Sequence, residues 1–343
     1  MIKQLLHVLV GTLVFLSFPS ANLFCAKTIE KSFPVGPGGS MEMTVSGSSV
    51  TVEGSSRSNV HVRVESKKDI EEYYKLSFEQ EGNKLIITAE RKKESRFFGL
   101  IQTFRGKGLK FTVSVPENFN PQVRTSGGSI RTSTITGTVD IHTSGGSLTC
   151  KRITGSVAGH TSGGSITCEG IAGSLSVRTS GGSIKLSGIE GPFEAKTSGG
   201  SVTAVDLTGD GSLRTSGGRI NVESCRGALD TKTSGGSISI AGLKGNLTAH
   251  TSGGGISAEL LSSPSGDCTL KTSGGGIDIS LPRESNVTIY AKASGGKVHT
   301  DIPVTVTVQG EIGRGLLEGN IGSGGPLVSL KTSGGGIRIS ETD

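Results

Sequence analysis

The chain has 343 residues, 55 of them glycine, with 4% aromatic side chains and no tryptophan. Glycine stands at roughly twice its average usage, but no Gly-X-Y period accompanies it, which excludes a collagen triple helix, and the scarcity of large rings argues against a conventional compact core. The net charge is +6, from 35 basic against 29 acidic side chains; this mixed surface, with no basic recognition helix, argues against nucleic-acid binding.

Residues 1–26 carry Lys3 followed by an apolar run from Leu5 to Phe18. A basic start and a short apolar stretch fit a secretory signal, and the run is too short to span a bilayer comfortably. Residues 1–26 are therefore expected to be a signal peptide and the protein to be exported, whether periplasmic, cell-surface or secreted. Neither Ala21 nor Ala26 has a small residue three places before it, so the cleavage point is open. Cys25 is a candidate for lipid attachment, although Phe24 stands where lipoprotein signals place a small residue. Membrane contact is expected only through such lipidation or peripherally.

Residues 27–122 read as an N-terminal β region. Candidate strands fall at Met41–Val45, Val50–Glu53, Val60–Ser66, Leu76–Gln80, Lys84–Glu90 and Lys110–Val115. The alternation in Val60-His61-Val62-Arg63-Val64 is that of a half-buried strand. A small antiparallel β cap is expected here, covering the open end of the repeat array that begins near residue 123. Ser46-Gly47-Ser48-Ser49-Val50 reads as a degenerate copy of the later repeat. Between these strands, Phe97, Phe98 and Phe104 lie among basic residues from Lys92 to Lys107. They form either a contact loop for a membrane or partner or an apolar flap over the open end.

Residues 123–343 are a repeat array. Thr-Ser-Gly-Gly starts at Thr125, Thr143, Thr161, Thr179, Thr197, Thr215, Thr233 and Thr251, always 18 residues apart. Further copies start at Thr272 and, as Ala-Ser-Gly-Gly, at Ala293, each 21 residues on, and a last one at Thr332. With each Thr as position 0, position +5 is aliphatic in all eleven units, from Ile130 to Ile337. Position +10 carries a second apolar column, Ile135 to Leu261, and position +12 is glycine from Gly137 to Gly245. Each unit thus predicts a strand ending at Thr-Ser, a Gly-Gly turn, a second strand and another glycine turn. Both glycine sites are expected to supply φ > 0. Constant length keeps register, because a one-residue slip turns a strand inside out. The fold class expected is all-β: a single-chain β-solenoid, or β-helix, of about eleven coils of 18–21 residues. At about 4.8 Å per coil it makes a rod of roughly 50 Å. The Thr is expected to point inward and the Ser outward.

The residue before each Thr is Arg124, His142, His160, Arg178, Lys196, Arg214, Lys232, His250, Lys271, Lys292 and Lys331. Stacking would align them as an outward cationic ladder. Such a ladder can bind a polyanion, or its long stems can simply cover apolar edge surface. Asp140, Glu194 and Asp230, two residues earlier in their units, would partly neutralise it. Cys150 and Cys168 share position +7 of adjacent units and are expected to stack as buried thiols. The five cysteines show no metal-ligand spacing, the outward acids do not cluster, and no Ser/His/Asp set has workable spacing. No catalytic residue, metal or cofactor is expected.

The early Ser-Gly-Ser strand, Gly82-Asn83-Lys84-Leu85-Ile86-Ile87, the strand ending Val115-Pro116, the Thr-Ser-Gly-Gly-x-Ile units and the closing Leu330–Ile339 stretch together resemble the bacterial putative adhesins of the exported β-strand-repeat type, a family built on a domain of unknown function. The resemblance covers nearly the whole chain beyond residue 26 and implies architecture more than activity. The function expected is a non-enzymatic adhesin or cell-envelope scaffold whose partners are envelope or host-surface polymers. The alternatives are a module binding anionic polysaccharide or lipid headgroups through the ladder, and a polysaccharide-active solenoid enzyme.

Overall fold

A computed structural model describes residues 27–67, 69–92, 108–306 and 314–342. The expected signal peptide, Cys25 and the Phe97, Phe98 and Phe104 loop lie outside the described residues.

The chain is an all-β solenoid whose coils have two sides, each side a sheet of fifteen strands. One unit shows how the sequence builds it. Val139–Thr143 runs in the first sheet, Ser144 to Ser147 turns the corner, and Leu148–Thr154 runs back in the second sheet. Gly155 then turns the chain into Val157–Thr161, which lies parallel to Val139–Thr143 with Val139 opposite Val157 and Thr143 opposite Thr161. Leu148–Thr154 likewise pairs with Ile166–Ala172, Leu148 opposite Ile166. Equal unit length therefore places like on like.

The core is the space between the two sheets. Position +5 is buried from Ile130 to Ile277, as are Val139, Ile141, Val157 and Leu175 from the facing sheet. Each such inward aliphatic contributes about 1.5–3 kcal/mol. Stability is accordingly close to a sum over neighbouring coils.

Strict alternation would put position +10 outside, since +5 and +7 point in. It is buried instead, as at Ile135, Ile153, Ile171 and Ile189. The reversal comes from one left-handed residue at +9 in successive coils: Thr134 (φ 57°), Arg152 (φ 51°), Gly170, Gly188, Asp206 (φ 53°), Ser224 (φ 62°) and Gly242. This is a stacked β-bulge, which uses one extra residue to bring a third side chain inward.

The two glycine sites do different jobs, and only one matches the expectation of φ > 0. At +12, Gly155, Gly173 and Gly191 have φ of 132°, 140° and 127°. The Gly-Gly pair has no positive φ. Its second member is needed for closeness: a Cβ on Gly164 would lie 2.0 Å from the Gly146 carbonyl oxygen of the coil before, whereas one on Gly163 would meet nothing nearer than 3.7 Å.

The sheets run on without interruption through residue 122. Gly39–Val45 lies parallel to Phe119–Thr125 and Ser49–Ser55 parallel to the strand from Ile130, so the degenerate Ser46–Val50 copy is a coil of the rod. Lys84–Arg91 and Lys110–Pro116 add a further parallel layer. Antiparallel pairing at this end is confined to the outermost strands, Lys27–Phe33, Val60–Ser66 and Tyr74–Glu81. At the other end, the order of coils departs from chain order. The coil of Leu327–Thr332 and Ile337–Glu341 inserts between that of Cys268–Thr272 and that of Val287–Ala293. Leu316–Ile321 closes the first sheet as an antiparallel edge.

Candidate functional site: a cationic column on one sheet

The Thr-Ser-Gly-Gly corner fixes the geometry of the column. Each Thr is buried, and from Thr143 on its hydroxyl donates to the carbonyl of the second glycine one coil back, as Thr143 to Gly128 at 2.8 Å, Thr161 to Gly146 at 2.7 Å and Thr332 to Gly275 at 2.6 Å, while Thr125 donates to the Ser48 carbonyl of the degenerate coil at 2.8 Å. The same oxygen accepts the N–H of its own second glycine, as from Gly164 to Thr161 at 3.3 Å. Next to it the first glycine's N–H donates to the previous coil's serine carbonyl, Gly163 to Ser144 at 2.9 Å. The Thr points inward and the Ser outward, and the residue before the Thr is held outward at a constant height.

The eleven ladder residues accordingly stand on eleven adjacent strands. Register pairs run from Arg124 to His142, His160, Arg178, Lys196, Arg214, Lys232, His250 and Lys271. The column then passes to Lys331 and ends at Lys292, because of the inserted coil. All are exposed or half-exposed.

Electrostatically the column has two halves. In the first, carboxylates two residues before the ladder position of the next coil neutralise the arginines: Arg178 to Glu194 at 3.2 Å, Arg214 to Asp230 at 2.7 Å, and Arg124 to Asp140 at 3.6 Å, with His142 also 3.0 Å from Asp140. In the second half that row is Thr248, Thr269, Ser329 and Tyr290, with no carboxylate. Lys331 lies over the Tyr290 ring, 4.9 Å from its centroid. Burial holds the His250 imidazole below its ordinary value, against the pull of Asp230, and Lys232 and Lys271 add to the lowering.

Cys150 and Cys168 stack in register as buried free thiols. Burial pushes the Cys225 thiol up to about 11, which leaves it largely protonated and unreactive. Among the described residues no group of three or more His, Cys, Asp or Glu could hold a metal ion, and no helix is long and apolar enough to cross a membrane. A shallow concavity of about 390 Å³ lies beside the column at Ala158, Ser176 and Glu194, and another of about 710 Å³ lies on the opposite sheet between Lys67, Lys110 and Arg131. The ladder and the acids that partly neutralise it are legible in the sequence, but its passage through Lys331 before Lys292 is not, because that depends on which coil lies next to which.

A two-sided β-solenoid with a repeated Thr-Ser-Gly-Gly corner is the class that fold and surface define. The chain belongs to the Toastrack family of domain of unknown function DUF4097, whose model matches residues 39–340. No curated protein matches it. Among solved structures it is similar to a putative lipid binding protein of Parabacteroides distasonis, with 14% identity and a TM-score of 0.33 over 91% of this chain and 96% of that one. It is also similar to a putative adhesin of Bacteroides fragilis, with 13% identity and a TM-score of 0.30 over 92% and 97%. A putative cell adhesion protein of Clostridium sporogenes shows 9% identity and a TM-score of 0.25 over 93% and 100%.

Proposed function

We propose that this protein is an exported, non-enzymatic attachment protein or scaffold of the cell envelope, whose rod presents one repeated face to an extended partner. The observation that carries this is the column itself: one cation or histidine per coil, on eleven neighbouring strands, ten of them followed by the same buried threonine hydroxyl. A surface that repeats along a rod suits a ligand that repeats along its own length, such as an envelope polymer. Of the outward acids beside the column, Glu194 is engaged by Arg178 and Asp230 by Arg214.

Fractionation of the native host with mass spectrometry of the N-terminus tests the placement. Envelope or extracellular recovery with residues 1–26 removed is expected; an intact, cytoplasmic chain overturns it. The column also supports a more specific reading, a binding module for anionic polymer. That reading predicts affinity that falls steeply with salt.

A further inference from the structure

We infer that the binding surface is the far half of the column, the file Lys232, His250, Lys271, Lys331 and Lys292, and that its ligand is a linear acidic polysaccharide lying along the rod. This deepens the anionic-polymer reading above and rests on it.

Three observations place the site there. First, the five residues occupy adjacent strands in unbroken register, Lys232 beside His250, His250 beside Lys271, Lys271 beside Lys331 and Lys331 beside Lys292. At about 4.8 Å per strand they span roughly 20 Å. Among the described residues none of the four lysines has an ion pair, whereas the arginines of the near half are bound to carboxylates. A ligand anion would replace protein carboxylates in the near half and meet unpaired ammonium groups in the far half.

Second, the file is bordered by hydroxyls. On one side, beyond Asp230 on the Lys232 strand, stand the half-buried Thr248 and Thr269, and on the other the exposed serines Ser252, Ser273, Ser333 and Ser294. Hydroxyl rows beside a cation row match a polymer that carries hydroxyls beside each acid group, since neutral hydrogen bonds can form at the same repeat as the charge contacts. Tyr290 adds a half-buried aromatic ring at the end of the file, with Lys331 lying over one face, so that a sugar could pack only against what that contact leaves open.

Third, the charge is single file. A bilayer would be met best by cations spread over a face together with apolar side chains that insert; here they form one line parallel to the rod axis, and the exposed leucines near it are Leu316 on the terminal edge strand and Leu327 at the start of the Lys331 strand.

The test uses the full chain, with polygalacturonate as the carboxylate polymer, dextran sulfate as the sulfate polymer, neutral dextran, and phosphatidylglycerol vesicles. Lys271→Gln/Lys331→Gln/Lys292→Gln removes far-half charge at exposed positions; Arg178→Gln/Lys196→Gln/Arg214→Gln removes near-half charge. Retained β circular dichroism shows that both variants fold. The expected result is salt-sensitive binding of an acidic polymer by the native chain, weakened about tenfold or more by the far-half changes and by less than about threefold by the near-half changes. Equal losses in both variants overturn the half-column assignment while leaving the anionic-polymer reading in place. No binding of either acidic polymer overturns both. Binding to vesicles with none to polymers overturns the choice of ligand, as does equal binding of neutral dextran.

Discussion

The Thr161 hydroxyl joins two coils: it donates to the Gly146 carbonyl at 2.7 Å and accepts from the Gly164 amide at 3.3 Å. Valine has the same branched shape without the oxygen. Thr161→Val leaves the buried Gly146 carbonyl and the half-buried Gly164 amide short of a partner, which costs about 1–3 kcal/mol. Amide hydrogen exchange is the suitable measurement, since coil stability is local. Gly164 should exchange faster while amides four coils away stay unchanged. Ala293, the unit without this hydroxyl, should show no such protection at Gly296.

Adjacent glycines of one corner should differ sharply in what the same methyl group costs. Gly163→Ala puts a Cβ at 3.7 Å from its nearest neighbour, and Gly164→Ala puts one at 2.0 Å from a backbone oxygen. The first should cost under about 1 kcal/mol and the second about 3 kcal/mol or more, because the clash can be relieved only by separating the coils. Urea unfolding of the two variants decides it; similar midpoints would contradict the packing described.

Phe193 and Gly211 are register partners, and the ring occupies the space a side chain at 211 would need: a Cβ there would lie 2.3 Å from ring atoms. Other coils hold Leu229 or Leu247 at this height. Gly211→Leu alone should be strongly destabilising and Phe193→Ala alone should leave a cavity worth about 3–5 kcal/mol. The pair together should recover about 1–3 kcal/mol of the summed loss, measured as the coupling in a double-mutant unfolding cycle.

His250 predicts a pH effect of definite sign. Burial lowers its proton affinity below the ordinary 6.5, with Asp230 opposing and Lys232 and Lys271 assisting. Between that value and its lower folded one, the unfolded chain binds more protons than the folded chain. Stability therefore falls as pH falls through this window. His250→Gln removes the contribution. Comparing unfolding midpoints at about pH 7.5 and about pH 5.5, the native chain should lose more than the variant; an equal loss would deny the shift.

What was readable in the sequence is what every coil must repeat. Position +5 is aliphatic in each unit because each lines the same interior, and the second corner glycine is constant because each approaches the backbone of the coil before. The left-handed column at +9 was hidden, since Thr134, Arg152, Asp206 and Ser224 alternate with glycines and share no residue type. A chain can offset the strain of that conformation with neighbouring bonds rather than with glycine, as Arg152 does through its contact with the Thr134 hydroxyl at 3.2 Å. The ladder was readable as a set of residues. The acids that neutralise part of it were readable too, but which cation each one engages was not, because Arg178 and Glu194 meet across coils, 16 residues apart.

The displaced coil gives the rod a keystone. Residues 287–300 cannot rest on residues 268–281, which they follow in the chain, because residues 327–341 occupy that berth. Their native neighbours are therefore complete only once the later segment has seated beneath them. Loss of that one segment would therefore unship two layers of the tip, and with them Lys331 and Lys292 together.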